Sequence, residues 1–455
     1  MKQLSWIGIA RLGLVQASLG AVVVMATGTL NRVMVIEIGL PALVPGILVA
    51  WHYLIQILRP RLGHGSDQGG RRTPWIIAGV AMLGLGAVGA AIATPMMANQ
   101  PTLGFLFAFV DYSLIGIGGG CAGTSLLVLL AQRTAPERRP AAATLVWIMM
   151  IAGFVITAGL AGRVIDPYSP ERLITVVSTV AAIALSISIL AVWGMEEKNS
   201  IDSIPSSSHP MTTDAKADKT DFMTAVRDVW AEPQARLFAG FVFIAMLAYS
   251  AQELLLDPFA GKVYGYSPGE STQLNGIQHG GALLGMVLVA VLGTLRKGQG
   301  LGSPRFCTQL GCISSAIMLI VIASSAAGHL AWPLKEMVFA LGVANGLFAV
   351  SAIASMMQMV GQGTKQREGV RMGIWGAAQA VAFAMGGLVG TGLSDLASWL
   401  LEDASRAYAL VFCVQAGFFV IAAWLAKNLF SISLKTPERH INQSQEELGQ
   451  FVHEA

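Results

Sequence analysis

The chain has 455 residues, 54% of them hydrophobic and 12% charged, with a mean hydropathy of +0.62 and a formal net charge of +3. A soluble domain carries about 25% charged residues, so a water-exposed globule of this composition is excluded. The small net charge argues against a nucleic-acid partner, and the apolar runs are about 20 residues long, as bilayer-spanning helices require and β-barrel strands do not.

In chain order the apolar runs predict twelve transmembrane helices at 12–36, 41–59, 74–94, 103–131, 141–165, 172–194, 236–257, 270–295, 305–327, 333–360, 371–393 and 406–430. The expected fold is an all-α polytopic membrane protein. The first run reads as a retained helix rather than a cleavable signal. An even span count puts both termini on one side. With the N-terminus cytoplasmic, 23 of the 29 Lys and Arg fall inside and six fall outside: Arg32, Arg163, Arg172, Lys262, Lys335 and Arg406. That bias obeys the positive-inside rule and sets both termini in the cytoplasm. Cys121, Cys307, Cys312 and Cys413 lie in apolar runs without metal spacing and read as small core residues.

The long break at 196–235 separates a first six-helix half, 1–195, from a second, 236–430, and a polar tail follows at 431–455. Glu196 to Asp221 is rich in Ser, Thr, Asp, Lys and Pro and reads as a linker. The segment DFMTAVRDVW places Phe222, Val226, Val229 and Trp230 near one helical face, as an amphipathic helix on the membrane surface does. The halves also repeat weakly. Arg11-Leu12 opens the first span and Arg236-Leu237 the seventh. Pro41 precedes His52 by eleven residues, as Pro268 precedes His279, and Trp147 and Trp375 hold comparable places. A parallel duplication of six helices is the architecture of major facilitator transporters.

The loop after the second span reads Gly63-His-Gly-Ser-Asp67-Gln-Gly-Gly70-Arg71-Arg72 and resembles the major facilitator signature. Its glycines permit a tight turn, its aspartate can accept from a helix N-terminus, and its arginines hold the loop at the headgroups. Its expected role is conformational. In the second half the matching place holds Lys297 instead of the acid.

Ionisable groups in lipid are costly and face the protein interior. Asn31, Arg32 and Glu37 in the first span, Asp111 in the fourth, and Gln252, Glu253 and Asp257 in the seventh form an outer polar set. Arg32 is expected to pair with Glu253 or Asp257 across the halves, as a structural ion pair or as a gate. His52 and His279 are the imidazoles placed inside spans. Each is either an interhelical hydrogen-bonding group or an axial ligand for a chlorin magnesium. His279 is favoured because Gly280, Gly281 and Gly285 leave room for a flat ring. Gln278, Asn275 or Gln252 could instead hold a ligating water. Gly116-Ile-Gly-Gly-Gly120 and Leu83-Gly-Leu-Gly86 read as close helix packing rather than phosphate loops.

The stretches RLGLVQASLG, TGTLNRVMVIEIGLP, RPRLGHGSDQGGRRTPW, VWAEPQARLFAGFVF and AYSAQELLLDPFAGKVYGYSPGESTQLNG strongly resemble the PucC family, the bacteriochlorophyll-delivery branch of the major facilitator superfamily. The compact loop at Asp67–Arg72 resembles the branch encoded among bacteriochlorophyll-synthesis genes and labelled a bacteriochlorophyll synthase chain. The resemblance implies a non-enzymatic carrier or assembly factor in a photosynthetic, intracytoplasmic bacterial membrane. Bacteriochlorophyll would be its cargo, with no covalently bound cofactor. Bacteriochlorophyll synthase, light-harvesting or reaction-centre apoproteins and membrane lipid would be its partners. Two rivals stand beside it: a proton-coupled exporter using Asp111 or Glu253, and a structural subunit of a pigment-synthesis complex.

Overall fold

A computed structural model of the chain describes residues 3–58, 71–135, 138–196, 227, 230–295, 300–328, 332–360 and 368–453. Twelve long helices and no strand are found among them. We number these α1 Trp6–Glu37, α2 Leu43–Leu58, α3 Thr73–Asn99, α4 Pro101–Arg133, α5 Arg139–Val164 and α6 Pro170–Val192 in the first half. The second half holds α7 Pro233–Tyr264, α8 Pro268–Leu295, α9 Pro304–Ala326, α10 Leu334–Val360, α11 Glu368–Leu401 and α12 Ala404–His453. Eleven are long and apolar enough to cross a bilayer alone, and α2 is shorter. The linker beyond Glu196, most of the amphipathic segment, and Gly63, Asp67 and Gly70 of the signature loop lie outside the described residues.

Proline recurs in the first turn of these helices, at Pro101, Pro170, Pro233 and Pro304 among others, where its missing N–H leaves no helical bond unmade. Ser5, Ser169 and Ser303 accept from the first-turn N–H groups of α1, α6 and α9. Several helices outrun their apolar runs, among them three that matter for the seam. Helix α1 begins at Trp6, α7 runs on to Tyr264 and α11 to Leu401. The reason is the same in the last two: Asp257 and Asp395 interrupt the hydropathy, yet both are used inside the protein and the helix continues through them. The 431–455 segment, expected as a solvated tail, continues α12 as helix to His453.

Each half builds its own hydrophobic core, around Leu12, Leu30, Leu83 and Tyr112 in the first and Phe238, Phe259, Phe348 and Phe412 in the second. Glycines allow the tightest packing. A Cβ at Gly118 would meet backbone of Leu83 and Gly79 at 2.5 and 2.6 Å, so the Gly-rich runs of α3 and α4 do serve helix packing. Across the seam α2 lies on α11 and α5 on α8. Cys121, Cys307 and Cys312 are buried, but Cys413 is exposed on the outer surface of α12, correcting its assignment to the core.

Candidate functional site: a polar seam between the halves

Helix α1 carries the seam's most unusual backbone. Met25–Thr29 and Val33–Glu37 are π-turns, separated by one α-helical turn at Leu30–Arg32. A π-turn loosens the regular carbonyl ladder and often marks a functional position. Here the Ala26 carbonyl accepts from the hydroxyl of Tyr112 on α4 at 2.8 Å. The turn between the two π-segments presents Asn31 and Arg32, both buried, toward the second half.

Arg32 does reach across the seam, but not to the acids expected. Its ion pair is with Glu37, at 2.5 Å on its own helix. Its Nε donates to Ser271 Oγ at 3.2 Å and its Nη2 to the Tyr266 carbonyl at 2.5 Å. The π-turn brings Glu37, five residues on, back beside Arg32, which sequence spacing based on α-helical turns does not anticipate. The charge is therefore buried in the seam at 2% exposure.

The acids of α7 make no direct ion pair with Arg32, although its charge acts on Asp257. Asn275 donates to Asp257 Oδ2 at 3.3 Å, and both residues are buried. Gly28 faces this pair so closely that a Cβ there would stand 2.8 Å from Asp257 Oδ2 and 2.9 Å from Asn275 Nδ2. Asn31 donates to the Leu254 carbonyl at 2.6 Å. Gln252 belongs to a different string, in which Ser315 donates to Asn345 at 2.9 Å and Asn345 to Gln252 at 3.3 Å, within the second half. Gln278 is buried with its amide oxygen unbonded. Asp111 does not join the cluster: it packs on α4 against Gly89 of α3, inside the first half.

The two histidines differ. His52 Nε2 lies 2.9 Å from Gln56 Nε2, and its ring sits edge-on to Tyr53. The amide N–H can only donate, so that imidazole nitrogen is occupied as an acceptor. Trp51 beside it stacks on Phe109 and donates to Ser113 at 2.7 Å. His279 instead holds Nδ1 3.0 Å from the Asn275 carbonyl, so Nδ1 carries the proton. Its Nε2 makes no hydrogen bond and lies 4.0 Å from Glu253 Oε1, with Phe154 of the opposite half edge-on to the ring at 4.8 Å. The room expected beside it is only partly there. A Cβ at Gly281 or Gly285 would meet the α10 carbonyls of Phe339 and Val343 at 2.2 and 2.3 Å, whereas Gly280 has nothing within 4 Å. Those two glycines serve the α8–α10 contact, and the free side of His279 faces the seam.

Four polar contacts at the helix ends went unread in the sequence. At the end that the Lys and Arg bias makes outer, Asp395 of α11 accepts from Ala42 N at 3.0 Å and Leu43 N at 2.8 Å, capping α2. Asp166, after α5, accepts from the Ser267 hydroxyl and from Gly269 N at 3.0 Å, at the start of α8. A cavity of about 490 Å³ opens beside Asp395, lined also by Val35, Gly39, Pro41, Lys262 and Tyr408; neither histidine borders it. At the inner end, the Arg11 guanidinium caps the last carbonyls of α6, donating to Ala191 O at 2.8 Å and to Trp193 O. Glu196 accepts from Arg72 N at 2.9 Å and Thr73 N at 2.7 Å, closing the start of α3. Burial alone would raise the Glu196 carboxyl, but these N–H groups and the Arg71 charge hold it below the usual carboxylate range. Arg71 and Arg72 thus sit at a helix start whose acid partner is Glu196, while Asp67 lies outside the described residues.

Solved structures share the fold. A bacterial homologue of the human lysosomal transporter Spinster, inward-facing and unoccupied, superposes with a TM-score of 0.67 at 14% identity, covering 94% of this chain and 97% of that one. The tetrameric PepTSo2 gives 0.68, also at 14%, covering 94% and 99%. These likenesses show the major facilitator fold. Among curated sequences, the bacteriochlorophyll synthase 44.5 kDa chain of Rhodobacter capsulatus is 48% identical over 427 residues, 93% of this chain and 95% of that one. Protein PucC of the same organism is 26% identical over 439 residues, 91% of this chain and 90% of that one. The family model described as PUCC protein matches residues 29–433, and with these relatives it establishes that the chain belongs to the PucC family.

Proposed function

We propose that this protein is a non-enzymatic carrier or assembly factor for bacteriochlorophyll, handing pigment to light-harvesting or reaction-centre apoproteins in a photosynthetic bacterial membrane, with both termini cytoplasmic. Family membership and the names of its relatives supply the context. The observation that carries the reading is the state of His279: a buried imidazole whose Nδ1–H is fixed by a backbone carbonyl and whose Nε2 lone pair is unbonded. That is how proteins orient an imidazole for a metal, the second nitrogen being held by an outer carbonyl. The magnesium would arrive with the cargo. A flat ring would approach along the seam past Phe154 and Glu253, since α10 closes the other side. His52, its Nε2 engaged by Gln56, is the weaker candidate. The relative named as a bacteriochlorophyll synthase chain favours the synthase as the pigment's donor.

The test replaces each histidine with Phe, which keeps bulk and cannot ligate, and measures pigment retained per folded protein with its absorption spectrum. His279→Phe is expected to lose most of the pigment and His52→Phe little. Wild-type pigment and spectra in both variants and in the double variant would reject chlorin ligation by this protein's buried imidazoles.

A further inference from the structure

We propose that Asp257, Asn275 and Asn31 form a buried site for a small, hard, monovalent cation of about sodium's size, set against the first π-turn of α1. The proposal does not rest on the pigment reading, although Asn275 serves both: its backbone carbonyl orients His279 and its side chain bonds Asp257.

The region holds three carboxylates, Glu37, Glu253 and Asp257, against one guanidinium. The hydrogen bonds of that guanidinium go elsewhere: Arg32 Nη1 donates to Glu37, Nη2 to Tyr266 O and Nε to Ser271 Oγ. Asp257 is 1% exposed and feels the Arg32 charge without a direct ion pair to it; a buried carboxylate so placed is costly enough that proteins pair it or give it a metal. Its only bonded oxygen here is Oδ2, with the neutral amide of Asn275.

The second observation is independent of charge. Asp257 Oδ1, Asn275 Oδ1 and Asn31 Oδ1 are all buried acceptor oxygens with no hydrogen-bond donor. They come from three helices, α7, α8 and α1, and the contacts already described draw them together. Gly28 touches Asp257 and Asn275 at once, and Asn31 lies one turn on from Gly28, bonded to Leu254, one turn before Asp257. Unbonded donors would call for an anion or a carbonyl; unbonded acceptors call for a donor such as water or for a cation, and the Asp257 carboxylate among them favours the cation. The set contains only hard oxygens, with no thiolate, which suits alkali and alkaline-earth ions and not transition metals. A single carboxylate in contact with the site favours one positive charge over two. Gly28 sits inside the Met25–Thr29 π-turn, which brings the backbone against the pair with no side chain between.

The experiment measures equilibrium binding of radioactive sodium to pigment-free, monodisperse protein in nanodiscs, with choline chloride holding ionic strength constant. Wild-type protein is expected to retain one sodium per chain, saturably, with potassium and calcium competing poorly. Asp257→Asn should abolish retention. Asn275→Leu, which removes an acceptor but no charge, should weaken it about tenfold or more, and it decides the question if the first variant fails to fold. Lack of saturable sodium binding by folded wild-type protein, binding unchanged in Asn275→Leu, tighter binding of calcium, or proton uptake alone would each overturn the proposal. Pigment retention, read in separately purified pigment-bearing samples of the same variants, stands apart: loss of sodium with pigment intact bears on this site and leaves the carrier reading as it was.

Discussion

At the outer end Asp395 and Asp166 each cross the seam to cap a helix of the opposite half, α2 and α8, and Arg32 crosses it to Ser271 and Tyr266. At the inner end the described polar contacts stay at home. Arg11 closes α6, Glu196 closes α3, and the Leu4 amide donates to the Arg133 carbonyl, all within the first half, while Trp375 Nε1 lies 3.4 Å from the Ala235 carbonyl within the second. The two outer clasps are related by the internal duplication. One joins α5's end to α8 and the other joins α11 to α2, so each half contributes one acid and one capped helix. Outer bonds resist separation of the halves; inner bonds stiffen each half as a body. A protein built this way parts more readily at its inner end, because the polar clasps that join the halves lie at the outer one.

The largest effect that could break this contrast comes from Arg32→Ala. It removes a buried charge with three partners and leaves Glu37 unpaired, which costs about 3 kcal/mol or more. Folded protein recovered from membranes should fall several-fold, whereas Glu253→Gln should leave it near wild type. An Arg32→Ala protein as abundant and as heat-stable as its parent would remove the guanidinium from the account of outer closure. Next come Asp395→Asn and Asp166→Asn, each losing the charge from a helix cap worth about 1–2 kcal/mol. A cysteine pair placed across the Gly162–Gly269 approach should crosslink less completely in the Asp166 variant. Unchanged crosslinking in Asp166→Asn and in the double variant would show that packing alone holds the outer end.

The smallest effect belongs to the inner end. Glu196→Gln should cost no more than about 1 kcal/mol, since the carboxylate is half exposed and screened. It should leave the outer crosslink untouched. Because the folded-state pKa of Glu196 is depressed, its contribution is present above the unfolded carboxylate value. It is lost as pH falls through the lower folded value, so thermal stability of wild type and Glu196→Gln should converge at acid pH. A difference that widened on acidification would contradict the cap.

Much of this was legible in the residues. Apolar run lengths set the twelve helices, and the repeated Pro-to-His spacing placed His52 and His279 at matching, buried positions. The contacts that escaped were those made by acids at helix ends. Asp166 and Asp395 look like ordinary loop or interrupting residues, because their partners lie 103 and 353 positions away and are bare backbone N–H groups, which every sequence possesses. The helix starts at Pro41 and Pro268 were visible, but nothing local says which acid faces them. Arg32 was misassigned for a local reason: an α-helical turn would carry Glu37 away from it, and the π-turn at Val33–Glu37 returns it. Trp147 and Trp375, equivalent in the repeat, diverge in use, one 37% exposed and the other 2%.

The two π-turns of α1 also bear on how this gene could change length. A π-turn holds one residue more than the α-helical turn it replaces, so each is a place where the helix can gain or lose a single residue without rotating its flanks. Deleting one residue within Met25–Thr29 should convert the segment to regular helix while Trp6–Val24 and Asn31 keep their facing. The Ala26 carbonyl would then return to the helix and Tyr112 would lose its acceptor. A one-residue deletion, ordinarily ruinous in a buried transmembrane helix, should here yield a membrane-inserted protein, and the same deletion at Leu19 should not.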